Sequence, residues 1–281
     1  MNSKKVIVCD LDGTLAPSKA SISPDMAEVL NHVLARQYVA VISGGAFPQF
    51  QKQLIAKLDN SPERLKNLIL FPTMGGACYV YDAEKKGWKV LYEERLSDKE
   101  MNKIIKALGE AVSELKIDLS GNYGEIIEKR GSQVTFSGKG QEAPYSVKEK
   151  WDPDQSKRKK IIQILKKKIP EFDANLGGIS SIDITQKGIN KAFAIRKIKE
   201  ILKVKEPDMI FVGDALYKGG NDESVKTTGI DFIQEDNPNQ TLEFLSRYMG
   251  ISELAYMKSV LIFKYESYHC KKALGVVYYI C

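Results

Sequence analysis

Four short runs of uninterrupted apolar residues, at positions 6–9 (VIVC), 39–42 (VAVI), 68–71 (LILF) and 209–213 (MIFVG), each give way abruptly to a polar or glycine-containing segment. Runs this short, with no alternation of polar positions, are expected of strands covered on both faces. Helical patterns follow the first two. Ser23 and Pro24 stand at the N-cap and first position of a segment whose Met26, Val29, Leu30, Val33 and Leu34 keep the helical period. A second helix is expected through Phe50, Leu54 and Leu58. Residues 78–81 read as a further strand. The fold class is therefore α/β, with a doubly wound, Rossmann-like parallel-sheet core.

The rhythm changes near Lys85. Ser97-Asp98-Lys99-Glu100 forms a capping box ahead of a long helix through Ile104, Ile105 and Leu108. Strand-like GEIIEKRG and SQVTFSG follow, then a helix in WDPDQSKRKKIIQILKKK with Asp152 as its expected N-cap, then the strand ISSIDIT. Such clustering predicts a separate α+β unit over residues 85–185, inserted into a core made of 1–84 and 186–250. Alternation returns with a helix over 190–202, strands over 209–213 and 231–234, and a helix opened by Asn237 and Pro238 and closed at Gly250. Residues 251–281 form a tail, rich in Tyr, Ile, Val and Cys, to which no function is assigned.

Composition removes several classes. Hydrophobic residues at 43% and charged residues at 28% suit a soluble globular chain of 281 residues. The four cysteines include no CxxC pair, so neither zinc nor a thioredoxin-like site is indicated. The start has no leader-like apolar stretch and no run reaches a membrane span, so a cytoplasmic protein without membrane contact is expected. The net charge of +6 favours anionic ligands. In the basic run 157–168 the apolar Ile161, Ile162 and Leu165 share one helical face, continued by Ile169, and lysines fill the other. That is a solvated helix rather than a nucleic-acid site, and no aromatic residues interleave it.

In open parallel sheets ligands bind beyond the carboxyl ends of the strands, and four polar signals fall there. Asp10-Leu11-Asp12-Gly13-Thr14 ends the first apolar run. Two carboxylates at a buried strand end need a compensating cation, and Mg²⁺ takes oxygen ligands. Ser43-Gly44-Gly45 offers a hydroxyl and bare N–H groups ahead of a helix, which suits phosphate. Lys191 enters a helix after a glycine-containing turn, where it can neutralise phosphate and nucleophile; Lys187 is a second candidate. Asp214 ends an apolar run as Asp10 does and can supply a second carboxylate to the metal. Asn221 and Asp222, in a glycine-rich loop, can hold the metal's waters or fix Lys191.

The order of nucleophile, hydroxyl, lysine and acid pair resembles the four motifs of the haloacid dehalogenase superfamily. Within it, VIVCDLDGTLAPSK, VISGGAFPQFQKQL, SIDITQKGINK and GDALYKGGNDES are similar to eukaryotic-type phosphomannomutases and related sugar-phosphate phosphatases with a type IIB cap. The likeness covers about residues 4–250 and makes the inserted unit a cap that sets substrate specificity. It implies that Asp10 becomes an aspartyl phosphate, that Asp12 is general acid and then base, and that Mg²⁺ is held by Asp10, the Asp12 carbonyl and Asp214. It also implies that Ser43, Gly44 and Lys191 hold the transferring group, that Asp183 and Ser181 face sugar hydroxyls, and that caps pair into a homodimer. Where the mutases carry a Pro-Ile-Gly-Arg segment this chain reads SQVTFSGKGQEAPYS, without arginine. Lys129, Arg130 and Lys139 are the available cations for a distal phosphate, although lysine lacks the bidentate fork. Water is then the expected acceptor, making a phosphatase. Phosphomannomutase is the alternative, and a non-catalytic binding protein on the same fold is a third.

Overall fold

The computed structural model describes residues 4–251. The tail reading for 252–281, including Cys270, Cys281 and His269, lies outside the described residues. In chain order the elements are β1 (Val6–Asp10), α1 (Pro24–Leu34), β2 (Tyr38–Ile42), α2 (Phe47–Gln53), α3 (Pro62–Leu65), β3 (Leu68–Phe71), β4 (Ala77–Asp82) and β5 (Gly87–Glu93). They continue as α4 (Asp98–Glu114), β6 (Ile127–Lys129), β7 (Gln133–Ser137), α5 (Tyr145–Trp151), α6 (Ser156–Lys168), β8 (Phe172–Leu176) and β9 (Ser181–Gln186). The last are α7 (Lys191–Leu202), β10 (Met209–Gly213), β11 (Asp231–Gln234) and α8 (Pro238–Tyr248).

The larger sheet runs β11-β10-β1-β2-β3-β4-β5. Its first five strands are parallel, and β4 and β5 add antiparallel. Because strand side chains alternate, Ile7 and Cys9 point into a cluster with α1, α2 and α8, while Val6 and Val8 point into another with α7. Burial on both sides explains the uninterrupted apolar runs. Burial also pushes the Cys9 and Cys78 thiols well up, so both behave as small hydrophobes.

The second sheet, β6-β7-β9-β8, is antiparallel throughout. Val134, Phe136, Ile182 and Ile184 pack beneath α4 and α6 in a third cluster. Two corrections follow. β5 lies past the boundary expected at residue 85 but pairs with β4, so it belongs to the larger sheet. Trp151 closes α5, and α6 starts at Ser156 behind Gln155 in the left-handed region. Asp152 is thus not the N-cap residue, yet its carboxylate accepts from the Lys157 and Arg158 N–H groups at 2.9 and 3.2 Å and serves the same need. The α6 lysines sit opposite the buried Ile161, Ile162 and Leu165. Among the described residues no helix is long and apolar enough to cross a membrane.

Candidate active site

The chain turns back at β1, which connects onward to β2 on one side and pairs with β10 on the other, a topological switch point. In this register Cys9 faces Val212 and Asp10 faces Ile42. Asp10, Ser43 and Asp214 thus leave three adjacent strands at the same edge. Gly13 allows the turn after Asp12, with φ of +96°, and a Cβ there would come 2.5 Å from Asp214 Oδ2. The Asp214 carboxylate therefore rests on the Asp10–Thr14 loop, where it accepts from Thr14 Oγ1 at 3.3 Å.

Asn190 caps α7 by accepting from the Phe193 N–H, which starts the helix so that Lys191 turns inward. The Lys191 ammonium is fully buried and donates to both Asp10 and Asp222. The other oxygen of Asp222 accepts from the Ala215 N–H at 3.0 Å. Of the two roles open to Asp222, its contacts give it the fixing of Lys191. Burial pushes the Asp10 carboxyl well above the usual carboxylate range, and the charges of Asp222 and Asp214 add to this against the opposing Lys191. Burial, then Asp222, pushes Asp214 up to about 6. Burial acts to lower the Lys191 amine, but Asp10 and Asp222 outweigh it and keep it an ammonium.

These groups fit a divalent cation. Asp10, Asp214 and Asp222 together exceed the one ammonium by two negative charges when all are ionised. Asp10 Oδ2 and Asn221 Oδ1 are buried oxygens without a hydrogen-bond partner, the hard donors that Mg²⁺ accepts. Among the described residues no three acid, histidine or cysteine side chains form a ready-made metal cluster. A cation here would therefore draw on the Asp12 carbonyl, Asn221 and water as well as on carboxylates.

Asp12 lines the cleft between the β1 loop and the second sheet. Its Oδ1 accepts from the Lys19 N–H at 2.6 Å and Gln53 Nε2 at 3.2 Å, and its Oδ2 from Gln49 Nε2 at 2.8 Å. Ser43 Oγ accepts from the Gly45 N–H at 3.1 Å, which leaves its own hydrogen to donate.

The cap sheet closes over these loops with a polar face. Opposite its apolar residues, Gln133, Thr135 and Ser137 of β7 lie in register with Thr185, Asp183 and Ser181 of β9. A Cβ on Gly44 would come 2.5 Å from Asp183 Oδ2, so the cap acid sits against the Ser43–Gly45 loop. Burial raises the Asp183 carboxyl, and Arg130 and Thr135 oppose that rise. A small cavity of about 70 Å³ lies here, with Asp10, Asp12, Ser43, Gly44, Asp183 and Ser181 in its wall.

Of the cap cations expected to meet a distal phosphate, only Arg130 lines that cavity. It donates to the Gly44 carbonyl at 2.6 Å and Glu128 at 2.7 Å. Lys129 is exposed, and Lys139 reaches away to the Ser120 carbonyl at 2.8 Å. Lys187 reaches toward the Pro170 carbonyl at 3.4 Å and is exposed. In their place stand Lys19 and Lys148, whose amines meet at the Gln141 carbonyl at 3.1 and 2.8 Å. Burial, then the neighbouring Lys19, lowers Lys148 to about 8. Surface lysine is the default reading of either residue, so neither carried a signal in the sequence. The buried Gln133 and Thr135 did carry one, in the polar–apolar alternation of QVTFS.

The haloacid dehalogenase-like hydrolase family matches residues 7–222. A phosphomannomutase of Schizosaccharomyces pombe is 24% identical over 257 residues, covering 88% of this chain and 95% of that protein. One of Dendrobium officinale is 25% identical over 256 residues, covering 87% and 96%. Among solved structures, the C-terminal domain of C. albicans trehalose-6-phosphate phosphatase superposes with a TM-score of 0.60 at 16% identity, covering 89% of this chain and 93% of that one. An IMP-bound, N-terminally truncated Plasmodium falciparum IMP-nucleotidase gives 0.66 at 16% identity, covering 89% and 69%. At these identities the structural likeness speaks to the fold.

Proposed function

Given that the chain belongs to the haloacid dehalogenase-like hydrolase family, a family of enzymes, we propose that it hydrolyses a small sugar phosphate through a phosphorylated Asp10. The observation that carries this is the buried pairing of Asp10 with Lys191 beneath the polar face of the cap sheet. An Asp10 oxygen forms a bond to phosphorus as the bond from phosphorus to the sugar oxygen breaks, and Asp12 gives that oxygen its proton. Asp12 then takes a proton from a water that attacks phosphorus, the Asp10–phosphorus bond breaks, and inorganic phosphate leaves. Ser43, the Gly44 N–H and Lys191 hold the phosphoryl oxygens. Asp183 and Ser181 receive sugar hydroxyls from the cap side. Mg²⁺, general in this family, would be held by Asp10, the Asp12 carbonyl and Asp214 with Asn221 nearby, and would offset phosphoryl charge.

A second reading rests on the meeting of Lys19, Arg130 and Lys148 around Gln141. Three cations at the cap side suit the other phosphate of a bisphosphorylated sugar, as a phosphomannomutase requires, and relatives of that name cover nearly the whole chain. Cytoplasmic location and pairing through the cap belong to the same proposal. A panel of sugar phosphates with Mg²⁺ tests it by phosphate release, expected to vanish with EDTA and in Asp10→Asn. Conversion of mannose 1-phosphate to mannose 6-phosphate that depends on glucose 1,6-bisphosphate, with little free phosphate, favours the mutase. Full turnover by Asp10→Asn removes both.

A further inference from the structure

The polar face of the cap sheet contains one side chain that spans both halves of the site without lining the cavity. Gln133 is fully buried at the start of β7. Its Nε2 lies 2.9 Å from the Gly44 carbonyl in the phosphate loop, 2.9 Å from Asp183 Oδ1 and 2.7 Å from Thr135 Oγ1. The Gly44 carbonyl and the Asp183 carboxylate only accept, so the amide must present its NH₂ to them. Gln133 Oε1 is left buried and without a partner, and an apolar side chain of the same size would avoid that cost. Thr135 Oγ1 also donates to Asp183 Oδ1, at 2.8 Å. One carboxylate oxygen is therefore occupied, and the other, Oδ2, lies against Gly44.

We infer that Gln133 is a positioning residue that clamps Asp183 to the phosphate loop, so that sugar recognition by the cap and phosphate binding by the core share one register. This rests on the reading of Asp183 as the acid facing sugar hydroxyls. The clamp joins a cap strand to the loop after β2, and it forms only when the cap is seated. It delivers Asp183 in one orientation at a fixed distance from the phosphate, which selects a sugar by the spacing of its hydroxyl from its phosphate.

Three variants test it. Gln133→Met keeps the volume and removes both donors. Gln133→Glu keeps the shape and puts an acceptor against two acceptors. Thr135→Val removes the second donor to Asp183 and one acceptor of the Gln133 amide, and leaves the Gln133 bonds to Gly44 and Asp183. With the sugar phosphate that the wild type hydrolyses best, Gln133→Met should raise KM about tenfold, as expected for losing a hydrogen bond to a charged acceptor, with kcat within about threefold. Gln133→Glu should be worse than Gln133→Met, and Thr135→Val milder. In an Asp183→Ala background Gln133→Met should add less than about twofold to KM, because the group it positions is gone. Hydrogen exchange should rise together at the amides of residues 44–45 and 183 in Gln133→Met. Additive KM effects in the double variant, or Gln133→Glu behaving better than Gln133→Met, overturn the clamp. If the wild type hydrolyses no sugar phosphate, the functional reading falls and exchange alone decides: a joint rise supports the clamp, and unchanged protection overturns it.

Discussion

Asp214 shows what a surplus of buried negative charge does to a single residue. Burial and the nearby Asp222 push its carboxyl up to about 6, whereas in an unfolded chain it titrates near ~3.9. Between those values the native state holds a proton that the unfolded state has released. Without a divalent cation, Asp214 therefore contributes stability at low pH that is lost as pH rises through about 6. Mg²⁺ held by Asp214 as proposed would replace the proton and compete with it in acid. The rise in melting temperature on adding Mg²⁺ should accordingly be larger at about pH 7.5 than at about pH 5. Asp214→Asn should flatten the difference. Scanning calorimetry across that range reads the effect directly, and an Mg²⁺ shift that is equal at both pH values would show that Asp214 is not a ligand.

At the scale of elements, Lys191 depends on how α7 begins. Asn190 has extended backbone, with φ of −159°, and its side chain caps the Phe193 N–H at 3.2 Å. Asn190→Ala should cost about 1 kcal/mol, lowering the melting temperature by about 2–4 °C. It should lower kcat by more than that loss of stability explains, because the first turn of α7 carries the amine that meets Asp10. Unchanged kcat in a variant with the lowered melting temperature would separate the cap from the chemistry. The N-caps at Ser23, Ser97, Asn190 and Asn237 are all formed by side chains acting within a few residues, which is why those helix starts were legible in the sequence. The short α3 and α5 lack a side-chain cap and gave no such signal, and Asp152 caps α6 from four residues ahead of its first residue, across a left-handed Gln155. Buried strands were legible because both faces are covered, and the acids ending β1 and β10 stood out against them. β5 was not, since GWKVLYE lies at a sheet edge with Val90 and Leu91 exposed. Nor was β8, whose Phe172 and Ala174 alternate with polar Asp173 and Asn175. Lys19 and Lys148 gained meaning only when folding carried residues from the β1–α1 loop and α5 to the same carbonyl. That is long-range information with no local pattern.

Across the whole molecule, two clusters of buried apolar residues flank the large sheet and a third lies wholly within the cap. Among the described residues no apolar cluster joins cap to core. What joins them is polar: Arg130 and Gln133 on the Gly44 carbonyl, and the Thr73 and Ser132 hydroxyls 2.6 Å apart. Polar contacts of this kind can exchange for water at modest cost, so the cap is held shut weakly compared with the units themselves. The small cavity of about 70 Å³ is far below the ~300–1,000 Å³ of pockets that take small organic ligands. A neighbouring cavity of about 800 Å³, sharing Asp12, Ser18, Asn221 and the Gly177–Gly178 turn with it, opens between cap and core. A sugar phosphate bound against Asp10 as proposed would then enter most simply with the cap lifting and reseating. Cysteines at positions 73 and 132 can bridge with little movement, since the two oxygens they replace already lie 2.6 Å apart and a disulfide needs sulfurs about 2.05 Å apart. Oxidised Thr73→Cys/Ser132→Cys protein should fold, melt at or above the wild-type temperature and lose at least about 90% of its turnover, with activity returning on reduction. Each single variant should stay active under oxidant. An oxidised double variant that turns over at the wild-type rate would mean that substrate reaches Asp10 with the cap still shut.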